Sequence, residues 1–208
     1  KLPFLIVSTS LLLSACGGDD SSSSSGDNAL RSFDFENVTN LEGGFEVAGN
    51  VELTDEMSFS GSYSLKVSSA GGGYNRNYIS LDLEGTELTD IIEGRMMIWV
   101  DDPGGNGGDF TFVQADGLPK PESGAPENTQ VSYRYRVAGT ARPGTLMANY
   151  DTWIDEDGDG STDWLTDCWD HSETRLPREQ WSCVEWRFDA GANSLEYWFN
   201  GERLDDLG

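Results

Sequence analysis

The chain has 208 residues and carries 37 Asp and Glu against 13 Lys and Arg, a net charge of −24. Such acidity argues against a nucleic-acid partner, which needs a positive surface to displace counterions, and against attraction to an anionic bilayer surface; it bears on solubility and repulsion rather than on fold. The length suits one domain plus targeting and linker segments, and the 7 Trp, 7 Tyr and 9 Phe supply much of a core, with a surplus of the kind that stacks on sugar rings.

The N-terminal segment begins with Lys1 and runs through the apolar stretch Leu2–Val7 and the triplet Leu11, Leu12 and Leu13. Small residues, Ser14 and Ala15, follow and lead to Cys16. A basic start, a short apolar run and small residues before a cleavage point define a secretory signal, and the stretch is too short to span a bilayer as a helix. Leu13-Ser14-Ala15-Cys16 resembles a bacterial lipobox. The resemblance implies cleavage after residue 15, lipidation of Cys16, and, with Gly17 rather than Asp next to it, anchoring at the outer membrane or cell surface. An ordinary signal peptide with a chance cysteine is the alternative. The sequence does not start with Met and stops at Gly208 soon after a turn, so truncation at both ends is expected. Residues 16–30 include GGDDSSSSSGDN, a polar tract with nothing to bury, expected to act as a flexible tether.

From residue 31 the pattern becomes short apolar runs broken by Gly, Asn and Asp. Strands are predicted at Ser32–Glu36, Gly44–Val47, Tyr63–Val67, Tyr78–Leu83, Arg95–Val100, Phe110–Gln114, Val131–Val137, Thr145–Tyr150, Val184–Phe188 and Leu195–Phe199. No window shows helical periodicity. Many short strands with frequent turns predict an all-β domain over residues 31–208, an antiparallel β-sandwich or jelly roll, and Asn200-Gly201 is a hairpin-turn signal. A monomer is expected. The Gly-rich run 104–108 lacks the Lys-Ser/Thr and helix of a phosphate cradle.

Arg134 and Arg136 stand two apart in a predicted strand and therefore share a face with Ser132, with Tyr133 and Tyr135 on the other. Two guanidinium groups on one face suit a carboxylate ligand; they also suit pairing with this chain's own carboxylates. Asp155, Asp157, Asp159, Ser161 and Asp163 form an alternating oxygen-rich loop with Gly160 at its sixth position, the first part of a calcium loop. Position twelve is Thr166 rather than the Glu of an EF-hand, and the loop resembles those of thrombospondin-type and dockerin-type repeats, carried in a hairpin bracketed by Trp153 and Trp164. Calcium is therefore the expected cofactor, against the alternative of an exposed acidic turn. With Cys16 used by the lipid, Cys168 and Cys183 are expected to form a disulfide, which would contribute about 3 kcal/mol.

Two segments carry a further resemblance. One holds Phe33-Asp34-Phe35-Glu36 and Phe59-Ser60-Gly61-Ser62-Tyr63-Ser64-Leu65-Lys66-Val67; the other holds LMANYDT, DCWDHSETRLP and QWSCVEWRFDAGANSLEYWFNGE. They resemble the concanavalin A-like lectin/glucanase superfamily, most closely the branch of fungal cellulose-induced proteins and glucuronan lyases. The resemblance implies a jelly roll with a concave face for a polysaccharide and, where there is chemistry, β-elimination on polyuronates. Elimination needs a group to neutralise the carboxylate, a base and an acid. Arg136, Gln114, Tyr150 and His171 are the candidates for catalysis, and Arg134, Arg136 and Tyr150 for substrate binding. Gln114 resembles the start of a Gln-x-His strand in alginate-lyase-like enzymes, with Asp116 where the His would stand. Each has a structural alternative: ion pairing for the arginines, a core hydrogen bond for Tyr150, a structural role for His171. Most of the tryptophans are expected in the core, with one or two as stacking platforms. Three functions follow as expectations: polysaccharide binding at the surface, a polyuronate lyase, or a calcium-dependent adhesion or structural protein.

Overall fold

The structure is a computed structural model that describes residues 4–8, 33–36, 41, 45–69, 76–83, 90–103, 108–154 and 163–207. Thirteen strands are described: β1 (Phe4–Ser8), β2 (Glu46–Ala48), β3 (Val51–Thr54), β4 (Ser64–Ser68), β5 (Tyr78–Ser80), β6 (Ile91–Val100), β7 (Phe110–Gly117), β8 (Thr129–Val137), β9 (Thr145–Ile154), β10 (Asp163–Arg175), β11 (Ser182–Asp189), β12 (Ser194–Phe199) and β13 (Glu202–Arg203). The helical content among the described residues is confined to 3-10 conformation, at Pro121–Ser123 and at Leu41. A seven-stranded sheet in the order β13-β12-β11-β6-β1-β4-β3 faces a four-stranded sheet in the order β10-β9-β8-β7, and β2 and β5 form a separate pair. Every pairing is antiparallel. The predicted all-β antiparallel sandwich is what forms.

Alternation along the strands builds the core. Met96, Ile98 and Val100 of β6, Val184 and Phe188 of β11 and Tyr197 of β12 meet Tyr135 and Val137 of β8 and Leu146 and Ala148 of β9 in one buried cluster. Tyr135 and Tyr197 pack at a tilt with ring centroids 4.5 Å apart and tie the two sheets together reciprocally. The Tyr197 hydroxyl donates to the Arg134 carbonyl at 3.0 Å and the Tyr135 hydroxyl to the Trp198 carbonyl at 3.4 Å. These bonds satisfy two phenols that would otherwise be buried without partners. The outward face of the large sheet is ionic, with Arg187 of β11 between Glu93 of β6 and Glu196 of β12 at 3.1 and 3.3 Å. That leaves the other face of the small sheet as the second open surface.

Two expectations are corrected. Residues of the predicted strand Ser32–Glu36 turn instead: Phe35 is buried with φ 61°, and the Glu36 carboxylate accepts the Ser62 and Tyr63 amides at 2.8 Å each. The two halves of the first resemblance motif thus meet through one side chain, and Gly61 is needed there, since a Cβ would stand 2.4 Å from Glu36. Cys168 and Cys183 do not pair, and Cys168 is free and exposed. The two lie in different sheets, and because Val184 points into the core its neighbour Cys183 points away from the facing sheet, whereas a disulfide needs Cα atoms within about 7 Å. Phe4–Ser8, within the expected leader, form β1, which lies between β4 and β6 with Leu5 opposite Val67 and Val100.

Candidate functional site

The open face of the small sheet is set by register. Arg134 of β8 lies opposite Gln114 of β7 and Asn149 of β9; Ser132 lies opposite Asp116 and Asp151; Arg136 lies opposite Met147. On the edge strand β10, Trp164 lies opposite Trp153, Asp167 opposite Asp151, Trp169 opposite Asn149 and His171 opposite Met147. Side chains of paired residues stand on one face of a sheet, so all of these share the surface turned away from the core.

Arg134 is the hub of this face. Its Nε donates to Gln114 Oε1 at 2.8 Å and its Nη1 to Asn149 Oδ1 at 2.9 Å, and it forms an ion pair with Asp151, which is 3% exposed. Gln114 Nε2 in turn donates to both oxygens of Asp116 at 2.9 and 2.8 Å, and Ser132 Oγ donates to Asp116 at 2.5 Å while accepting Trp153 Nε1 at 3.3 Å. Asn149 Nδ2 is shared among Asp151, Asp167 and the Cys168 carbonyl. Burial holds the Arg134 guanidinium below its ordinary value; the like charges of Arg136 and Arg76 add to this, and Asp116 and Asp167 oppose it.

Arg136 is held more loosely. Its Nη1 reaches Asn149 Oδ1 at 3.3 Å and its Nη2 reaches Asp109 at 3.6 Å, and its buried Nε has no partner among the described residues. Asp109 itself is fixed by the Gly139 amide at 2.8 Å, an approach open only to glycine, because a Cβ on residue 139 would stand 2.0 Å from the Gly108 carbonyl oxygen. Around Arg136 the face deepens into a pocket of about 240 Å³ lined by Asp109, Arg136, Met147, Asp167, Trp169 and His171 with Thr140 and Ala141. His171 Nδ1 is buried without a partner among the described residues, and its ring meets Trp169 edge-on at 5.1 Å.

The predicted site residues therefore divide. Gln114, Arg134, Arg136 and His171 share the open face, as do the missed residues Asp109, Asn149, Asp151, Asp167, Trp164 and Trp169. Tyr150 stands on the other face of the sheet: it pairs with Tyr133 and Cys168 across the strands, its ring 5.2 Å from Tyr133, where burial raises the phenol's pKa. One signal for the missed residues was present, in that Asn149 and Asp151 alternate along β9 as Arg134 and Arg136 do along β8. Of the predicted metal ligands, Asp155, Asp157, Asp159 and Ser161 lie outside the described residues. Asp163, opposite Ile154, opens β10, and Trp164 lies opposite Trp153. The lipidation candidate Cys16 also lies outside the described residues.

Trp164 and Trp169 are each 57% exposed. Their partners, Trp153 and Asn149, are four positions apart on β9, so the two tryptophans sit about 13 Å apart along the sheet backbone. Comparison with family models, with curated proteins and with solved structures returns no match.

Proposed function

We propose that this domain is a polysaccharide-binding module, displayed outside the cytoplasm on a lipid attached to Cys16 and held off the outer membrane or cell surface by the Ser-rich tether. Its sandwich is read as a jelly roll of the concanavalin A-like kind, stabilised by calcium in the β9–β10 hairpin. The observation that carries the reading is the pair of exposed indoles, Trp164 and Trp169, on one face of a sheet beside a rigid polar network and a pocket. Large aromatic surfaces are normally buried. Held rigid on a strand, they offer apolar planes for the C–H faces of successive sugars, with polar groups between them for the hydroxyls.

Affinity gel electrophoresis on a panel of polysaccharides tests this. Retention on at least one polymer is expected, with Trp169→Ala and Trp164→Ala each weakening it about tenfold, or ~1.4 kcal/mol. Retention unaffected by both substitutions removes the face from the function.

A second reading, a polyuronate lyase, is favoured by the meeting of Arg136 and His171 in one pocket. With Tyr150 on the opposite face of the sheet, proton transfer would fall to His171. Ultraviolet absorbance of unsaturated products that disappears in His171→Ala would establish it. Neither retention nor product would leave a calcium-dependent adhesion or structural role.

A further inference from the structure

The pocket beside Trp169 carries information about the charge of the sugar it takes. Its lining holds two carboxylates, Asp109 and Asp167, against one guanidinium, Arg136, and one imidazole, His171. Arg136 is already turned toward Asp109 at 3.6 Å, so its charge is partly neutralised. Arg134, the other cation of β8, is consumed by Asp151, Asn149 and Gln114. A uronate entering here would place a third carboxylate beside Asp109 and Asp167, within a protein of net charge −24. The like-charge penalty is largest where solvent is partly excluded.

An uncharged sugar meets no such penalty. Its hydroxyls donate to carboxylate oxygens and accept from guanidinium N–H groups. The Asp167 carboxylate is engaged by Asn149 Nδ2 at 3.3 Å, a long contact that a sugar hydroxyl can better. Arg136 has donors held by contacts of 3.3 and 3.6 Å. The exposed indole of Trp169 forms the wall on which a pyranose ring can stack, and Met147 closes the apolar floor.

We infer that this pocket binds one uncharged pyranose residue of a neutral polysaccharide and rejects uronates. The inference rests on the glycan-binding reading of the face and names the substrate class within it.

The test is affinity electrophoresis of the full chain in gels holding a neutral β-glucan or a galactomannan, and in gels holding polygalacturonate or alginate. Each is run at low salt and at about 0.5 M NaCl, where the Debye length falls to a few ångströms. The expected result is retention on a neutral polymer, unchanged by salt, weakened about tenfold by Asp167→Asn and by Trp169→Ala, with no retention on either polyuronate. Asp167 is exposed and its replacement isosteric, so circular dichroism is expected to show both variants folded. Retention on a polyuronate that Asp167→Asn or Asp109→Asn strengthens, and that Trp169→Ala abolishes, would overturn the inference and keep the binding face. Retention on neutral polymer that survives Asp167→Asn and Trp169→Ala would overturn the pocket assignment. No retention on any polymer would overturn both this inference and the glycan-binding reading.

Discussion

Arg134 and Arg136 stand two residues apart on one strand and do different work. Arg134 compensates a carboxylate, Asp151, that is 3% exposed, and its guanidinium is spent on the protein itself. Removing it strands a buried charge, so Arg134→Ala should lower unfolding free energy by about 3–5 kcal/mol, read as a drop in the urea midpoint at unchanged slope. An effect under about 1 kcal/mol would mean that Asp151 finds water. Arg136, with a buried Nε unpartnered among the described residues and two long contacts, is the residue of the pair left for a ligand. The sequence shows that both arginines share a face, because alternation along a strand is local geometry. Which of them is consumed depends on the neighbouring strand, where Asp151 and Asn149 come opposite Ser132 and Arg134, and that follows from register rather than from composition.

At the level of elements, most strands were readable wherever one face is buried. Val131–Val137 and Val184–Phe188 lie inside β8 and β11, whose inward positions are fully buried at Val137 and Val184. β10 was missed because it is an edge strand whose first eight residues are all exposed, so no apolar alternation marks it; β3 is four residues long. Asn200-Gly201 forms the expected hairpin turn, with φ 51° and 84°, placing both central residues in the left-handed region that this turn requires. β6 has a tighter demand. Gly94 lies opposite Trp186, and a Cβ there would stand 2.3 Å from the indole. Gly94→Ala should therefore displace the ring and destabilise by about 1–3 kcal/mol, visible as a lower thermal midpoint and altered Trp fluorescence; an unchanged midpoint would show the ring free to move. The β9–β10 hairpin makes a separate prediction. Carboxylates clustered at its tip repel one another without a cation, so adding calcium should raise the thermal midpoint and Asp157→Ala should abolish the rise. No response to calcium would argue against the loop as a metal site.

On the scale of the molecule, β1 joins two parts of the large sheet, β4 with β3 on one side and β6 with β11 on the other. The same residues read as the apolar run of an export signal. Deleting residues 1–15 unpairs the facing edges of β4 and β6. The shortened chain should melt several degrees below the full one, 1 kcal/mol being about 2–4 °C for a domain of this size; equal midpoints would show that the slot closes without β1.

The amino-acid sequence by itself determined the class of fold, the acidity, the shared face of Arg134 and Arg136 and the hairpin turn at Asn200-Gly201, because each follows from local periodicity, charge or backbone preference. Only the tertiary structure decided that Cys168 and Cys183 lie in separate sheets, that Tyr150 stands on the other face of the sheet, and that Trp169, His171, Arg136, Asp109 and Asp167 meet in one pocket. Those outcomes depend on which strands become neighbours and in what register, a choice made by the burial of the whole apolar surface at once.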